Sequence, residues 1–295
     1  MDFKKITLVA KSDIWRYLLP SDVRNCDFSF ANLCSWWFLY RTEYALVDNF
    51  LVLRFYLEKK PVYMIPVGWG ELASVIRKIH EDASLQGEEF CMAGISAEMK
   101  ETLEHILPEC FRFEENRNYA DYIYLREELA LLKGKKYQAK RNHVNHFRKE
   151  YPHYEYRDLT PELVPECLRL EEKWCRANEC YGQTALWGER CAMLYALTHI
   201  EELGIVGGVL MVGGEIVAFT YGAPINGDTW DVCAEKANTD IEGSYAMINY
   251  EYVNHLSRNY VYINREEDLG LEGLRKAKLS YQPHYLLEKY IATWI

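Results

Sequence analysis

The chain has 295 residues, of which 49% are hydrophobic and 26% are charged, and its formal net charge is −10 at pH 7. This composition is typical of a globular protein with one large domain or two of ordinary size. The negative charge disfavours a DNA-binding protein, because basic residues that neutralise phosphates supply most of that affinity.

The sequence also disfavours membrane-spanning and disulfide-rich proteins. No stretch approaches the roughly 18 apolar residues of a membrane-spanning helix. The start MDFKKITLVAKSD has no apolar core of a signal peptide. The nine cysteines include no C-x-x-C pair, so neither a disulfide framework nor a zinc ribbon is indicated. We therefore expect a cytoplasmic protein with at most peripheral membrane contact.

The first half of the chain predicts a three-strand meander followed by alternating helices and strands. The meander consists of EYALV, FLVLRFYL and PVYMIPV, with turns at Asp48-Asn49 and at 58–60. A helix over 71–83, the strand EFCMA, a helix over 96–106 and the strand YADYIYL follow. We expect YADYIYL to close a first lobe that covers residues 1–130.

A second lobe, residues 131–295, is predicted to begin with a basic helix over about 135–150. A helix that opens at Thr160-Pro161-Glu162 and another over 186–200 lead to a second meander. Its strands are IVGGVLMV, EIVAFTYGAPI and DTWDVCAEKA, separated by the hairpin signals Gly213-Gly214 and Asn226-Gly227. A helix over 243–257, a strand over 260–264, a helix over 270–279 and a strand over 284–292 complete the lobe.

Both halves thus have the order strand, strand, strand, helix, strand, helix, strand, which is the order of the N-acetyltransferase-like fold. We predict an α/β (α+β) protein of two tandem lobes, each a mixed, mainly antiparallel sheet flanked by helices. In that fold, the helix after the meander binds the pyrophosphate of coenzyme A with its N-terminal amides. Here the turn reads Asp240-Ile241-Glu242-Gly243, and its two carboxylates would repel a diphosphate. We therefore expect no coenzyme A and no other bound cofactor.

Two long segments carry a more specific resemblance. KGKKYQAKRNHVNHFRKEYP (133–152) and NREEDLGLEGLRKAKLSYQP (264–283) resemble signatures of the phosphatidylglycerol lysyltransferase C-terminal-domain-like family, which is bacterial. The similarity extends to FANLCSWWFLYRTEYALVDNFLVLRF near the start. The resemblance implies a tandem N-acetyltransferase-like fold. Better-known relatives move an amino acid from aminoacyl-tRNA to a lipid headgroup or a peptidoglycan precursor. It therefore implies aminoacyl-tRNA as a possible donor, and a small molecule or lipid headgroup as acceptor.

The basic helix supplies candidate substrate-binding residues. Residues 133–149 contain seven Lys or Arg and no carboxylate. On a helix, Arg141 and Arg148 fall on nearly the same side, with Asn145 close by. Guanidinium groups pair with phosphate oxygens, so this edge is suited to an anionic substrate. The alternative is a solvated basic face that pairs with acidic segments of the chain. His143 and His146 have no third ligand at a recognised spacing, so no metal site is predicted.

The second signature places three carboxylates, at 266–268, between a strand and a helix. Asp268 is positioned to cap that helix. Arg275 and Lys278 are one turn apart and would face the same side. They would either pair with the carboxylates or bind a substrate anion. Asn264 ends the preceding strand, where its side chain is expected to face a central cleft.

Transfer from an activated ester needs positioning, a base for the acceptor and donors for the oxyanion. Asp231 and Glu235 alternate with apolar residues on the third meander strand, which puts them on one polar face. Either could accept a proton from the acceptor, and Tyr281 is a candidate proton donor. Each could also be an ordinary structural residue.

The primary hypothesis is aminoacyl or acyl transfer to an amine or hydroxyl acceptor of the lipid-headgroup or cell-wall-precursor class. The rival hypothesis is a catalytically inactive module that binds or senses an anionic metabolite or a lipid headgroup. The two carboxylates at the pyrophosphate turn favour the rival. Measurable transfer to an acceptor would exclude it.

Overall fold

The structure, a computed structural model, describes residues 1–177 and 184–295. Its strands are β1 Lys4–Lys5, β2 Glu43–Val47, β3 Phe50–Leu57, β4 Lys60–Met64, β5 Val67–Gly68, β6 Cys91–Ile95, β7 Phe111–Glu115, β8 Asp121–Leu125, β9 Glu155–Asp158, β10 Val206–Val212, β11 Glu215–Pro224, β12 Thr229–Ala237, β13 Tyr262–Asn264, β14 Tyr285–Leu287 and β15 Tyr290–Trp294. The α-helices are α1 Lys11–Leu18, α2 Phe30–Ser35, α3 Trp37–Tyr40, α4 Leu72–Leu85, α5 Ala97–Ile106, α6 Arg126–Leu131, α7 Gln138–Glu150, α8 Val164–Ala177, α9 Thr184–Thr198, α10 Ile200–Leu203, α11 Ser244–His255 and α12 Glu272–Leu279.

The strands form two sheets in which corresponding strands have the same arrangement. The first sheet runs β1-β2-β3-β4-β6-β15-β7, with β5 paired to β3, and the second runs β9-β10-β11-β12-β13-β8-β14. In each sheet an antiparallel meander leads through a helix, α4 or α11, to a strand parallel to the last meander strand. This topology confirms the predicted fold class: two tandem N-acetyltransferase-like units, each a mixed sheet flanked by helices.

The meander turns follow the local sequence signals. Gly213 and Gly214 have φ of +61° and +85°, and Asp48 and Asn49 have φ of +48° and +65°. Positive φ at both central residues is the geometry of two-residue hairpins whose twist matches that of their strands. The predicted hairpins β10–β11 and β2–β3 are therefore confirmed.

The two sheets exchange one strand each. β8, expected to close the first lobe, instead pairs with β13 and β14 in the second sheet. β15, at the end of the chain, pairs with β6 and β7 in the first sheet. The single strand predicted over 284–292 is thus two strands, β14 and β15, in different sheets. β8 comes before the predicted boundary at residue 130 but lies in the second sheet, and β15 comes after that boundary but lies in the first sheet. Neither sheet is therefore built from one continuous half of the chain.

The core lies on both faces of these sheets. α4 buries Val75, Ile76, Ile79 and Ala83 against the first sheet, a helical spacing that gives one apolar face. Full burial of such an aliphatic side chain contributes about 1.5–3 kcal/mol. None of the helices in the described ranges combines the length and apolar character that crossing a bilayer requires.

One short helix from the first half packs on the second sheet. α2 buries Phe30, Ala31, Leu33 and Cys34, and it contacts α9 and β11. The segment before it, Cys26–Phe28, is a turn of 3₁₀-helix whose start is fixed by the Asn25 side chain. This packing brings residues 24–36 to the point where β12 and β13 separate, which is where polar side chains collect.

Candidate functional site

The second sheet opens between its two parallel strands. The β12–β13 ladder covers Thr229 to Asp231 on β12 and ends at Asn264 on β13. β12 continues to Ala237 beside β11, whereas the chain after Asn264 turns away. The side chains at this opening are therefore those of the second half of β12 and of residues 264–268.

A β-bulge divides the polar residues of β12 between the two faces of the sheet. The pairing of β12 with β11 skips Cys233, which is the extra residue. Asp231 accepts a hydrogen bond from Asn32 on α2, whereas Glu235 accepts one from Asn249 on α11. The prediction that Asp231 and Glu235 share a face is wrong, because an extra residue shifts the alternation of a strand by one position.

On the α2 side, Asp231, Cys233, Glu266 and Asn32 form what we call the acidic pocket. Asn32 Nδ2 donates to Asp231 Oδ2 at 3.0 Å and to Glu266 Oε1 at 2.9 Å. The Cys233 thiol lies 3.5 Å from Asp231 Oδ2. Asp231 is fully buried, and its Oδ1 has no hydrogen-bond partner within residues 1–177 and 184–295.

Electrostatics in the acidic pocket disfavour ionisation. Burial, and then the charge of Asp121, raises the pKa of the Asp231 carboxyl well above its usual range. Burial, and then the charge of Asp231, does the same to the pKa of Glu266. The Ser29 hydroxyl lies close enough to lower the pKa of Asp231, although it makes no hydrogen bond of good geometry. A bound cation or a shared proton would relieve this repulsion.

A small cavity opens beside the acidic pocket. Its volume is about 280 Å³ including the mouth that is open to solvent. α9 and β11 supply mostly apolar walls, and α2 and β12 supply polar ones; the lining includes Asn32, Ser35, Trp36, Glu189, Met193, Tyr221 and Cys233. The Ser35 hydroxyl is buried and has no partner among the residues that the structure describes. The cavity thus borders the acidic pocket through Asn32 and Cys233.

Next to the acidic pocket, a buried lysine joins three carboxylates. Lys289 Nζ lies 2.7 Å from Asp121 Oδ1, 3.0 Å from Glu267 Oε1 and 3.1 Å from Asp27 Oδ2. Burial alone would lower the pKa of Lys289, but the neighbouring carboxylates raise it well above its usual value. Burial raises the pKa of Asp121 to about 6, against the effect of Lys289. We call this group the lysine cluster.

Asn264 connects this region to the first half of the chain. Its Nδ2 donates to Asp121 Oδ2 at 2.8 Å and to the Arg24 carbonyl at 2.7 Å. Asp121 Oδ2 also accepts from the Cys26 amide at 2.9 Å. Asn264 is fully buried at the junction of the two halves. The structure therefore places it in the centre of the molecule.

On the α11 side, Lys140, Arg265, Tyr281 and Glu235 form what we call the cationic pocket. Arg265 Nη2 lies 3.1 Å from Glu235 Oε1. Arg265 Cζ lies 4.7 Å from the centre of the Tyr281 ring, and Lys140 Nζ lies 3.8 Å from the same centre. Two predicted site residues, Glu235 and Tyr281, thus meet here, on the face opposite Asp231.

The three residues singled out on the basic helix lie further out. Arg141 donates to the carbonyls of Leu132 and Gly134 and to the Gln138 side chain. Arg148 pairs with Glu251 at 3.5 Å and lies over the Tyr250 ring, and Asn145 is exposed. From this helix, it is Lys140 that reaches the cationic pocket.

The two basic residues of the second signature have separate partners. Arg275 forms a bidentate pair with Asp268, with Nε–Oδ2 and Nη2–Oδ1 distances of 2.8 Å. Although burial opposes it, this pairing lowers the pKa of Asp268 below its usual range. Lys278 Nζ donates to the carbonyls of Arg265 and Glu267. Both residues thus hold the 265–268 loop in place.

Within residues 1–177 and 184–295, two groups of side chains have the composition of a metal site. In each group an N–H donor already contacts the atoms that would bind the metal. Lys289 contacts Cys26, Asp27 and Glu267, and Asn32 bonds to the two carboxylates of the acidic pocket. These carboxylates therefore have donors without an ion.

Sequence reasoning missed Asn32, Asp121, Lys140 and Lys289. Asp121 carried a signal, because a carboxylate in the apolar strand YADYIYL is expensive to bury without partners. Asn32 lies within one of the segments that resemble the family, but no local sequence pattern indicates that its polar side chain is buried. Lys289 looks like an ordinary surface lysine, since its partners are distant in sequence.

Known proteins share this architecture. A conserved protein of unknown function from Bacteroides thetaiotaomicron VPI-5482 is 56% identical over 100% of both chains, with a TM-score of 0.98. The C-terminal domain (DUF2156) of a putative lysylphosphatidylglycerol synthetase from Agrobacterium fabrum is 14% identical, with a TM-score of 0.70, over 97% of this chain and 91% of that one. An uncharacterized protein of Mycoplasmoides gallisepticum is 23% identical over 176 residues, which are 59% of this chain and 56% of that protein.

The solved relatives agree with the topology of the paired sheets described above. A family model described as phosphatidylglycerol lysyltransferase, C-terminal, matches residues 20–293, nearly the whole chain. The chain therefore belongs to the family of phosphatidylglycerol lysyltransferase C-terminal domains.

Proposed function

We propose that this protein transfers an aminoacyl group, or a related acyl group, from an activated ester to an amine or hydroxyl acceptor. The observation that carries the proposal is Asp231, a fully buried carboxyl with one oxygen unpartnered among the described residues, next to a cavity that is open to solvent. Membership of the family supports a transferase with an acceptor of the lipid-headgroup class, and a cell-wall precursor is the second acceptor class that we propose to test.

In this proposal Asp231 is the proton acceptor. The acceptor nucleophile attacks the ester carbonyl, its proton passes to Asp231, and the ester carbon–oxygen bond breaks, with the proton moving on to the leaving oxygen. A carboxyl whose pKa is raised by burial is better matched to this task near neutral pH than an ordinary one. Glu235 is less suited, because both of its oxygens are engaged, by Arg265 and by Asn249.

The charge of the acidic pocket favours substrates that carry an amine. Asp231 and Glu266 have no cationic partner within ion-pair distance in the described part of the chain. Burying uncompensated carboxylates is costly, so the negative charge of Asp231 and Glu266 favours an ammonium group beside the acidic pocket, while Asp231 Oδ1 stays free to take the proton. An aminoacyl group, as carried by aminoacyl-tRNA, has such an ammonium next to the reacting carbonyl.

A donor other than coenzyme A is supported by the packing at the start of α11. Gly243, with φ of +83°, precedes this helix, and a Cβ there would be 2.8 Å from the His143 carbonyl on α7. Glu242 lies 3.5 Å from His146 of the same helix. α7 therefore covers the helix end at which a pyrophosphate would bind in this fold.

The test uses pooled tRNA charged with labelled amino acids, mixed with the protein and a total extract of lipids and cell-wall precursors. Asp231→Asn keeps the size of the side chain but removes the base, and we expect it to slow transfer by about 10²–10⁴-fold. Asp22→Asn, at an exposed position, is the matched control and should transfer normally.

If the folded protein moves no label, the transferase proposal is wrong for this donor. Retained binding of the same extract would then favour the inactive binding module. Equal rates for Asp231→Asn and Asp22→Asn would leave the reaction standing but exclude Asp231 as its base.

A further inference from the structure

Two cations share one tyrosine ring in the cationic pocket. The Tyr281 side chain is buried, and Lys140 from α7 and Arg265 from the loop after β13 both lie within 5 Å of its ring centre. Cation–π contacts stabilise each cation only modestly, and two like charges at one ring repel each other. An additional anionic partner would therefore stabilise this arrangement.

The cationic pocket has more positive than negative charge. Glu235 pairs with Arg265 Nη2 through Oε1 and accepts from Asn249 through Oε2, so both of its oxygens are engaged. Arg265 Nη1 is buried and has no hydrogen-bond partner among the described residues. Lys140 makes no ion pair with any residue in the described ranges. One carboxylate thus faces two cations, each with unused donors.

The pKa of Lys140 is consistent with this excess of positive charge. Burial, and then the charge of Arg265, lowers the pKa of Lys140 to about 8, and Glu235 only partly opposes them. A group whose charged form is disfavoured by a like charge gains most from an anion placed between the two.

We propose that the cationic pocket is a binding site for a phosphate group, held between Lys140 Nζ and Arg265 Nη1 with the Tyr281 hydroxyl close by. Phosphate suits the site because its several oxygens can accept from donors that come from different directions, whereas a carboxylate has two in one plane. Arg265 directly precedes Glu266 of the acidic pocket, so a phosphate here would lie across the sheet opening from Asp231. The group could belong to a lipid headgroup or to a nucleotide.

Binding of inorganic phosphate, measured by calorimetry, tests the site without any turnover, so its failure is distinct from failure of the transferase proposal. We expect Lys140→Met to weaken binding by about tenfold or more, and Lys140→Arg to retain it. Lys149→Met, which removes an exposed lysine from the same helix, should leave binding unchanged. Melting temperatures of all variants check that they are folded.

Binding of sulfate distinguishes the titration of Lys140 from that of the ligand. The charge of sulfate is constant between about pH 6 and pH 10, the range in which Lys140 titrates. Affinity for sulfate should fall as the pH rises through the Lys140 pKa of about 8. In Lys140→Arg this pH dependence should disappear, because a guanidinium stays charged.

Glycerol phosphate and adenosine 5′-monophosphate distinguish the two sources of the phosphate. Tighter binding of the first than of inorganic phosphate assigns the site to a lipid headgroup, and tighter binding of the second assigns it to a nucleotide. The proposal is overturned if Lys140→Met and Lys149→Met bind phosphate equally well, or if none of the three phosphates binds.

Discussion

Lys289 Nζ lies 2.7 Å from Asp121 Oδ1, and this ion pair joins the two strands that the sheets exchange. Asp121 is the first residue of β8, which crosses to the second sheet, and Lys289 directly precedes β15, which crosses to the first. Glu267 and Asp27 bind the same ammonium. One buried cation therefore fixes the position at which both halves of the chain interlock.

Lys289→Met should destabilise the protein strongly. The change keeps most of the side-chain volume but leaves three carboxylates, one of them fully buried, without their cation. Breaking a buried pair by removing one partner costs about 3–5 kcal/mol. We expect a loss of that size in the free energy of unfolding measured with urea. Lys276→Met, at an exposed position on α12, is the control; an equal, small loss in both variants would contradict the role of Lys289.

The meanders and their turns could be predicted from sequence because their signals are local. Alternating strands and the pair Gly213-Gly214 specify β10 and β11 without reference to the rest of the chain. The strand exchange could not be predicted, because the alternation of apolar residues in a strand does not determine which other strand it pairs with. Asp121 and Lys289, which join the exchanged strands, also lie far apart in sequence. In the candidate site, the bulge at Cys233 could not be predicted, because the alternation of polar and apolar residues along the sequence of β12 continues through this position without interruption.

Asp268 should stabilise the protein at neutral pH and lose this effect in acid. Its pKa is lowered in the folded state, mainly through Arg275 and Tyr122, so its contribution is present above the unfolded pKa of about 3.9 and lost as the pH falls through the folded value. Asp268→Asn should lower the free energy of unfolding by about 2–4 kcal/mol at pH 7.

The pH dependence is the sharper check on Asp268. The difference in melting temperature between wild type and Asp268→Asn should shrink steadily as the pH falls below about 4. Asp22→Asn, at an exposed position, is the control. A difference that stays constant down to about pH 2 would mean that the Asp268–Arg275 pair does not set the stability of this loop.

Gly222→Ala should disturb the bulge that separates the two pockets. A Cβ at Gly222 would be 1.9 Å from the Asp231 carbonyl, so the backbone of β11 or β12 must move. Overpacking of this kind costs about 1–3 kcal/mol or more. Transfer activity should fall with it, since Asp231 shifts. Gly273→Ala, in helix α12 with open space around it, should instead be neutral or slightly stabilising.

Asp231→Asn should make the protein more stable while it removes transfer. The pKa of Asp231 is raised in the folded state, so the folded protein holds this proton more tightly than the unfolded chain. Stability therefore falls as the pH rises above the unfolded pKa of about 3.9. Asparagine carries no charge, and we expect it to raise the free energy of unfolding at pH 8 by about 1–3 kcal/mol relative to wild type.

The same comparison at low pH separates charge from packing. Near pH 4 the Asp231 carboxyl is protonated in the folded protein, so the gain from Asp231→Asn should nearly vanish there. A gain that is equal at pH 4 and pH 8 would trace to the amide's own hydrogen bonds instead. A loss of stability at pH 8 would mean that the ionised carboxylate already has a partner, and Asp231 would then be a structural residue, since a base for the acceptor needs an oxygen that is free to take its proton.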